Sequence, residues 1–410
     1  MRVRISRVYR QNWDWWVVLP VLLLLTMSLF AISSATHHPE SPRHGYLVRH
    51  LVSIGLGLGF FGLFLFLPAR LWEDWAWLAY GLALLLLVAV LFLGVNEYGA
   101  RRWFRAGPLR FQPSEFGKLA LVFVLARYLS GKRVDLARPK QLGAALGLAL
   151  LPFLLVLKEP DLGTAGAYPG LTLCMLLWAG LPWLTLAVLV SPIVTLAVMH
   201  YWYLWVALML GLAVWFRRAQ LSWFLLGICI AVNALIFWAA PHVIRKLEPY
   251  QQQRIATFFN PEADPSGAGY QVMQSKIAIG SGRLVGKGYL RGTQNVLAFL
   301  PQQHTDFVYS VVGEEWGFLG SLSVIFCFAV LAGRGLYLGR NGRSPFGSLL
   351  AVGVTGLICY HAVINMAMTM GLFPVTGLPL PFLSYGGSFM LTMMAAWGLL
   401  LNLSVHRYDY

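Results

Sequence analysis

The stretch WWVVLPVLLLLTMSLFAIS, residues 15–33, decides the fold class of this chain. It carries no charged residue and has about the length, roughly 20 residues, that an α-helix needs to cross the hydrocarbon core of a bilayer. Basic residues precede it at Arg2, Arg4, Arg7 and Arg10, and no small-residue cleavage site follows it. We therefore expect a retained first transmembrane helix rather than a signal peptide that is removed.

The same apolar character extends along the whole chain. Of its 410 residues, 58% are hydrophobic and 11% are charged, and the charged fraction is about half that of an ordinary soluble domain. Such a chain cannot hide its apolar surface from water, which excludes a soluble multidomain protein and favours one helical bundle in lipid over residues 1–410. We expect an all-α polytopic membrane protein. The four cysteines lie in apolar runs without metal-ligand spacing, so they are interpreted as packing residues: Cys174, Cys229, Cys327 and Cys359.

Apolar runs of about 15 to 25 residues predict twelve membrane spans. They lie at 15–35, 47–68, 74–94, 114–129, 141–157, 166–181, 183–199, 201–216, 221–240, 307–333, 346–369 and 386–404. Residues 241–306 form a long external loop between the ninth and tenth spans. Within it, the mixture of apolar and polar residues from Tyr270 to Ile279 predicts a short amphipathic helix along the membrane surface. The glycines that follow predict a compact irregular turn.

The charge pattern gives the orientation of the chain. The formal net charge is +15, but the basic residues are scattered over short loops rather than forming one stripe, so we expect no nucleic-acid partner. Alternation of the spans places most basic loops on the cytoplasmic side together with both termini, as the positive-inside rule requires. Two basic external segments, 95–113 and 241–306, break the rule. Long loops cross the membrane regardless of their charge, which explains the second segment. An anionic ligand on the outside would explain both segments.

Two charged clusters lie where external segments meet spans. Glu115 and Lys118 are one helical turn apart on one face, and they form either a plain intrahelical ion pair or part of a site, because charge at membrane depth is costly. Lys158, Glu159 and Asp161 form a charged elbow between two spans. Asp161 either caps the next helix or lines a polar cavity with its neighbours.

Two further segments carry candidate site residues. Asp306 and Glu314 lie eight residues apart where the tenth span begins, which on a continuous helix is about 12 Å along the axis and too far for a carboxylate pair that acts on one bond. We interpret Asp306 as a base at the mouth of a cavity, with a helix N-cap as the alternative, and Glu314 as the binder of a cation or a basic side chain. The Pro- and Gly-interrupted segment 377–388 either lines a cavity and presents Ser384 to a ligand or forms a re-entrant structural turn.

Together these features predict an outward-facing polar cavity with an excess of basic groups and one acid at its entrance. An anionic, lipid-linked substrate suits such a cavity, in either an enzyme or a transporter. Long motifs then mark the chain as similar to the RodA and FtsW family of membrane peptidoglycan polymerases, also called SEDS proteins. They are GARRW (99–103), FQPSEFGK (111–118), KEPDLGT (158–164), FLPQQHTDF (299–307), GEEWG (313–317) and LPLPFLSYGGS (378–388). The strings NPEADPSGAGY (260–270) and GKGYLRGTQ (286–294) resemble the elongation-type rather than the division-type branch.

This resemblance implies glycosyl transfer between lipid II units, which builds a glycan strand outside the bacterial cytoplasmic membrane during cell elongation. Its implied partners are a class B penicillin-binding protein and other membrane proteins of the elongation complex. Asp306 becomes the general base that deprotonates the acceptor 4-hydroxyl. The charge of the undecaprenyl pyrophosphate leaving group is met by basic side chains or by Mg²⁺ or Mn²⁺ held partly by Glu314. The implied substrate-binding residues are Arg101, Arg102, Trp103, Glu115, Lys118, Lys158, Asp161, Glu314 and Ser384.

One departure from the family concerns the number of spans. Family members usually have ten, whereas this chain has four apolar runs between Gly163 and the long loop where two are expected. We expect an extra transmembrane pair within 182–240, which leaves inside and outside unchanged for everything downstream.

Two rival functions are considered. A lipid II flippase shares the substrate and the basic cavity but requires an inward-open state and no chemical base. A scaffold that anchors other wall enzymes does not explain why costly charged residues lie at membrane depth.

Overall fold

The computed structural model describes residues 13–36, 44–97, 100–107, 109–132, 134–199, 201–218, 223–245, 249–259, 267–293 and 303–406. The basic N-terminal residues and parts of the predicted loop 241–306 lie outside these ranges. Contacts between Cα atoms divide the chain into two compact units. One consists of Met1–Ala179 with Ala256–Tyr410, and the other of Gly180–Ile255.

The first unit contains most of the helices and a small sheet. Its helices are α1 (Trp15–Thr36), α2 (His44–Phe66), α3 (Ala69–Asp74), α4 (Ala76–Leu93), α5 (Pro113–Leu129), α6 (Pro139–Lys158), α7 (Leu162–Trp178), α12 (Ala268–Ser281), α13 (Val308–Asn341), α14 (Pro345–Thr369) and α15 (Gly387–Val405). The second unit contains α8 (Trp183–Val198), α9 (Trp202–Arg218) and α10 (Trp223–Ile244). The short helix α11 (Pro249–Phe259) crosses the boundary in sequence between the two units.

All twelve predicted spans coincide with helices, which confirms the all-α polytopic fold. Their ends differ from the prediction by a few residues, except that α13 continues to Asn341. Among the described residues, eight helices are long and apolar enough to cross a bilayer, and α7 and α8 are shorter apolar helices. The four apolar runs after Gly163 are four helices, α7 to α10. That two of them are an addition to the family core stays a prediction.

A three-stranded antiparallel sheet in the segment between α4 and α5 was not predicted. Its strands are β1 (Val95–Glu97), β2 (Ala100–Ala106) and β3 (Leu109–Phe111), in the order β1-β2-β3. Gly107 turns the chain between β2 and β3 at a φ of 61°, a conformation that glycine adopts without steric cost. The arginines of this segment therefore lie on a short paired structure rather than on an irregular loop.

The long helix α13 is broken at Gly317, which has a φ of 65°. The glycine-rich turn after α12 enters this break and replaces the lost helical hydrogen bonds. The amide of Phe318 donates to the carbonyl of Arg283 at 2.7 Å, and the amide of Gly288 donates to the carbonyl of Glu315 at 3.0 Å. The predicted compact turn is confirmed, and it holds the two halves of α13 together.

The predicted amphipathic segment forms helix α12, which packs against other helices of the first unit. Val272 and Ala278 lie in a buried apolar cluster with residues of α14 and of the segments around it. The hydroxyl groups of Ser275 and Ser310 are 2.5 Å apart, which joins α12 to α13. Met273 and Ile277 on α12 are exposed. The helix therefore has apolar contacts on one side and apolar side chains open on the other.

A buried polar contact joins α8 to α10 within the second unit. The Nδ2 atom of Asn233 donates to the hydroxyl of Ser191 at 2.9 Å, and the hydroxyl of Thr195 donates to Oδ1 of Asn233 at 2.7 Å. Hydrogen bonds of this kind stabilise helix pairs in lipid, where no water competes for the polar groups. They define the packing of these two apolar helices.

Candidate functional site

Asp306 lies in a turn formed by residues 303–307, immediately before α13. The helix begins at Val308, and the N-cap position is occupied by Phe307 without a side-chain cap. The alternative of Asp306 as an N-cap is therefore wrong. The expected helical spacing between Asp306 and Glu314 is also wrong, because Asp306 is outside the helix. Asp306 is partly exposed, as a base that must meet a substrate requires.

Hydrogen bonds from two other segments hold this turn. The amide of Tyr385 donates to the carbonyl of His304 at 3.0 Å, and the hydroxyl of Ser384 donates to the carbonyl of Thr305 at 2.5 Å. The Nδ2 atom of Asn365 on α14 donates to the carbonyl of Asp306 at 2.8 Å. Three consecutive carbonyls of the turn thus receive bonds from outside it.

The position of Ser384 does not match its predicted role, in which its side chain is presented to a ligand. Its side chain is 0% exposed, and its hydroxyl also accepts from the amide of Leu380 at 2.8 Å. The hydroxyl therefore both donates and accepts a hydrogen bond within the protein. The contacts support the alternative of a structural turn in the segment 377–388.

A second cluster, the buried charge cluster, consists of Glu115, Lys118 and His361. The Nζ atom of Lys118 is 2.8 Å from Oε2 of Glu115 and 2.8 Å from Nε2 of His361. It lies 5.9 Å from the ring centroid of Phe389, within the range of a cation–π contact. Lys118 is 0% exposed. The predicted pairing of Glu115 with Lys118 is confirmed. His361 was missed, and the only signal for it is a histidine inside an apolar span.

The elbow between α6 and α7 is a third cluster. Asp161 accepts a hydrogen bond from the amide of Thr164 at 3.0 Å, so its capping of α7 is confirmed. Arg102 on β2 donates to the carbonyls of Glu159, at 2.7 Å, and Pro160, and its Nη1 lies 4.0 Å from Oδ2 of Asp161. These carbonyls lie at the C-terminal end of α6, where helical partners are missing and positive charge is favourable. Arg102 therefore stabilises the elbow.

Glu159 in this elbow is 1% exposed. Burial, and next the charge of Asp161, raise its pKa to about 9, although Arg102 acts in the opposite direction. The carboxyl group is therefore neutral at pH 7. Neither of its oxygens has a hydrogen-bond partner among the described residues. The sequence placed Glu159 in the charged elbow but did not predict that it is uncharged.

Further contacts connect the elbow to the start of α5 and α15. The hydroxyl of Ser388 accepts from the amide of Gln112 at 3.0 Å and donates to the carbonyl of Arg110 at 2.9 Å. The Nε2 atom of Gln112 lies 3.4 Å from Oδ2 of Asp161. The motifs 111–118, 158–164 and 378–388, which are distant in the sequence, therefore meet in one region.

Three other predicted site residues lie at more exposed positions. Arg101 is exposed and donates to the carbonyl of Phe92 at 3.3 Å. Lys158 is exposed at the end of α6, and Trp103 on β2 is partly exposed. Their contact with a substrate stays a prediction.

Glu314 is paired with a basic side chain, one of its two predicted partners. Its Oε1 atom lies 2.6 Å from Nζ of Lys287 and 3.1 Å from the hydroxyl of Thr293. Within the described part of the chain, no group of three or more His, Cys, Asp or Glu residues is placed to hold a metal ion. The ammonium group of Lys287 lies beside the carboxylate oxygen of Glu314. The expectation of Mg²⁺ or Mn²⁺ held partly by Glu314 stays a prediction.

These observations define the class of protein. The chain is an integral membrane protein of apolar helices that encloses a buried charge cluster and fixes a partly exposed carboxylate in a turn before a span. Its sequence matches the profile of the FtsW, RodA and SpoVE family, described as cell cycle proteins, over residues 8–209 and 202–409. The chain belongs to this family.

Individual relatives agree with this assignment. The peptidoglycan glycosyltransferase MrdB of Escherichia coli strain K12 is 35% identical over 401 residues, which cover 96% of this chain and 95% of that protein. A solved chain from a peptidoglycan synthase complex that coordinates polymerization and crosslinking has a TM-score of 0.74 at 32% identity, and covers 98% of this chain and 100% of that one. The crystal structure of the rod shape determining protein RodA from Thermus thermophilus has a TM-score of 0.64 at 29% identity and covers 97% of this chain and 98% of that one.

Proposed function

We propose that this chain is a peptidoglycan glycosyltransferase that polymerises lipid II during cell elongation, with Asp306 as its general base. The relatives named as peptidoglycan glycosyltransferases support the activity. One structural observation carries the assignment of the base. Asp306 is partly exposed in a turn that is held by its backbone, whereas Glu115, Glu159 and Glu314 are buried.

The proposed reaction gives each of these groups a role. The carboxylate of Asp306 removes the proton of the acceptor 4-hydroxyl as the oxygen attacks the anomeric carbon of the donor sugar. The bond from that carbon to the undecaprenyl pyrophosphate breaks, and the pyrophosphate leaves with the electron pair. Arg101 and Lys158 are exposed basic groups that suit its charge. Trp103, partly exposed on the same sheet as Arg101, suits stacking on a sugar face.

Buried groups act on this reaction from within the protein. Lys118 shares its ammonium between Glu115 and His361 and sets the local electrostatic field rather than touching a phosphate. Arg102 and Asp161 act by fixing the elbow that presents Lys158.

The location and partners complete the proposal. The chain lies in the bacterial cytoplasmic membrane with both termini inside and its site outside. Its substrate is lipid II and the growing glycan strand, and a class B penicillin-binding protein supplies cross-linking beside it. The structural relative from a complex that coordinates polymerization and crosslinking supports such a partner. Other membrane proteins of the elongation complex are further partners.

The test is polymerisation of purified lipid II by the detergent-solubilised protein with its penicillin-binding partner, whose own active serine is disabled. We expect glycan strands from the unaltered chain and none from Asp306→Asn, although Asp306→Asn still binds lipid II. Strand synthesis by Asp306→Asn at the normal rate contradicts the base assignment. Absence of strands from both proteins, with lipid II bound, favours the flippase, because a detergent solution contains no bilayer across which to transport.

A further inference from the structure

The turn that carries Asp306 is fixed by a buried amide side chain on α14. Asn365 is 0% exposed. Its Nδ2 atom donates to the carbonyl of Asp306 at 2.8 Å and to the carbonyl of Leu378 at 2.7 Å. One amide group therefore joins the turn 303–307 to the start of the segment 377–388.

The same segment holds the preceding residues of the turn. Ser384 donates to the carbonyl of Thr305 and the amide of Tyr385 donates to the carbonyl of His304. The adjacent residue Phe307 packs in a buried cluster with Met368 and Val375. The backbone on both sides of the Asp306 side chain is thereby fixed, while the carboxylate itself keeps partial exposure.

We propose that Asn365 is the positioning residue of the Asp306 base, and that Ser384 assists it through the neighbouring carbonyl. This inference rests on the proposed function. A general base must lie within hydrogen-bond distance of the proton that it removes, and a displacement of about 1 Å costs up to roughly 100-fold in rate. Asn365 is fully buried, so it acts through the backbone: its Nδ2 atom donates to the carbonyls of Asp306 and Leu378 and joins their two segments.

The chain offers a matched control in Asn402 on α15. Asn402 is 1% exposed, and its Nδ2 atom donates to the carbonyls of Leu65 at 2.5 Å and Leu67 at 2.9 Å. It therefore joins two backbone carbonyls in the same way, but at the end of α2 and without a bond to the turn 303–307. The loss of this side chain removes an equivalent pair of hydrogen bonds at the end of α2 rather than at the turn that carries Asp306.

The experiment measures strand synthesis against lipid II concentration for Asn365→Leu, Ser384→Ala and Asn402→Leu, together with the Tm of each solubilised protein. We expect Asn365→Leu to lower kcat by roughly 10- to 100-fold with KM within about twofold of the unaltered chain, since ground-state binding is not changed. Asn365→Leu and Asn402→Leu are expected to lower the Tm by similar amounts, because each removes two buried hydrogen bonds. Asn402→Leu is expected to keep kcat within about twofold of the unaltered chain. Ser384→Ala is expected to lower kcat in the same manner, because it removes the hydrogen bond to the adjacent carbonyl of Thr305.

Several results overturn the inference. Equal loss of kcat in Asn365→Leu and Asn402→Leu shows a general structural effect, and a raised KM with normal kcat shows a binding role. Should Asn365→Leu not fold, Ser384→Ala decides the question, and a normal kcat there contradicts the inference. The variant Asp306→Asn distinguishes failure of the proposed function from failure of the positioning role. If that variant is inactive while Asn365→Leu is fully active, only the positioning role is wrong.

Discussion

The Nζ atom of Lys287 lies 2.6 Å from Oε1 of Glu314, so an ion pair joins the glycine-rich turn after α12 to the first half of α13. The two residues also meet through the backbone, because the amide of Lys287 donates to the carbonyl of Glu314 at 3.0 Å. The side chain of Glu314 is 1% exposed and that of Lys287 is 26% exposed. Water can therefore reach the ammonium group of Lys287 but not the carboxylate of Glu314, so the carboxylate gains more stabilisation from the ion pair.

Replacement of Lys287 tests this dependence. Lys287→Met removes the ammonium group that lies 2.6 Å from the buried carboxylate of Glu314, and removal of one partner of a buried ion pair costs about 3 kcal/mol. We expect a lower Tm for the solubilised protein. The double variant Lys287→Met with Glu314→Gln is expected to recover much of the loss, because the buried charge is then removed as well. Equal Tm values for the single and the double variant contradict this explanation.

The neutral carboxyl of Glu159 makes the stability depend on pH. The unfolded group ionises near its ordinary value of 4.5, whereas burial raises the folded pKa to about 9. Between these values the folded chain binds one proton more than the unfolded chain. Its free energy of unfolding therefore falls as the pH rises, by at most about 1.4 kcal/mol per pH unit from this group.

Thermal unfolding of the solubilised protein from pH 5 to pH 9 measures this effect. Glu159→Gln removes the titrating group and keeps its shape. We expect its Tm to fall less steeply with pH than that of the unaltered chain, with the difference between the two proteins growing towards pH 9. Parallel curves would show that Glu159 is charged in the folded protein.

The features that the sequence predicted correctly are those with a local physical cause. The twelve helices follow from the thickness of the bilayer, which requires long apolar runs. The pair Glu115 and Lys118 follows from helical spacing. The cap at Asp161 follows from its place directly before an apolar run. Each depends on residues that are close in the chain.

The features that the sequence missed depend on residues far apart. His361 meets Lys118 from 243 residues away, and Asn365 meets Asp306 through its backbone carbonyl, which any residue type provides. Arg102 was expected at a substrate, but its guanidinium bonds to backbone carbonyls of the elbow. A motif identifies such side chains as important without showing whether they touch a ligand or the protein.

The break in α13 is another feature that the sequence missed. Nothing near Gly317 in the sequence indicates that a remote turn completes the helix. Its φ of 65° is unfavourable for any residue with a Cβ atom. A Cβ atom at this position would also meet the backbone of the inserted turn, including the carbonyl oxygen of Leu284 at 2.8 Å and the amide of Gly286. Backbone atoms move at a higher cost than flexible side chains.

Alanine at Gly317 should therefore displace the turn that carries Lys287 away from Glu314. We expect Gly317→Ala to lose strand synthesis and to lower the Tm strongly. Gly333 provides the control in the same helix, because a Cβ atom there meets nothing within 4 Å. Gly333→Ala should keep activity and gain up to about 1 kcal/mol from the better helix propensity of alanine. If both variants behave alike, the turn does not hold α13 at its break. If only Gly317→Ala fails, the glycine-rich turn after α12 and the first half of α13 act as one unit.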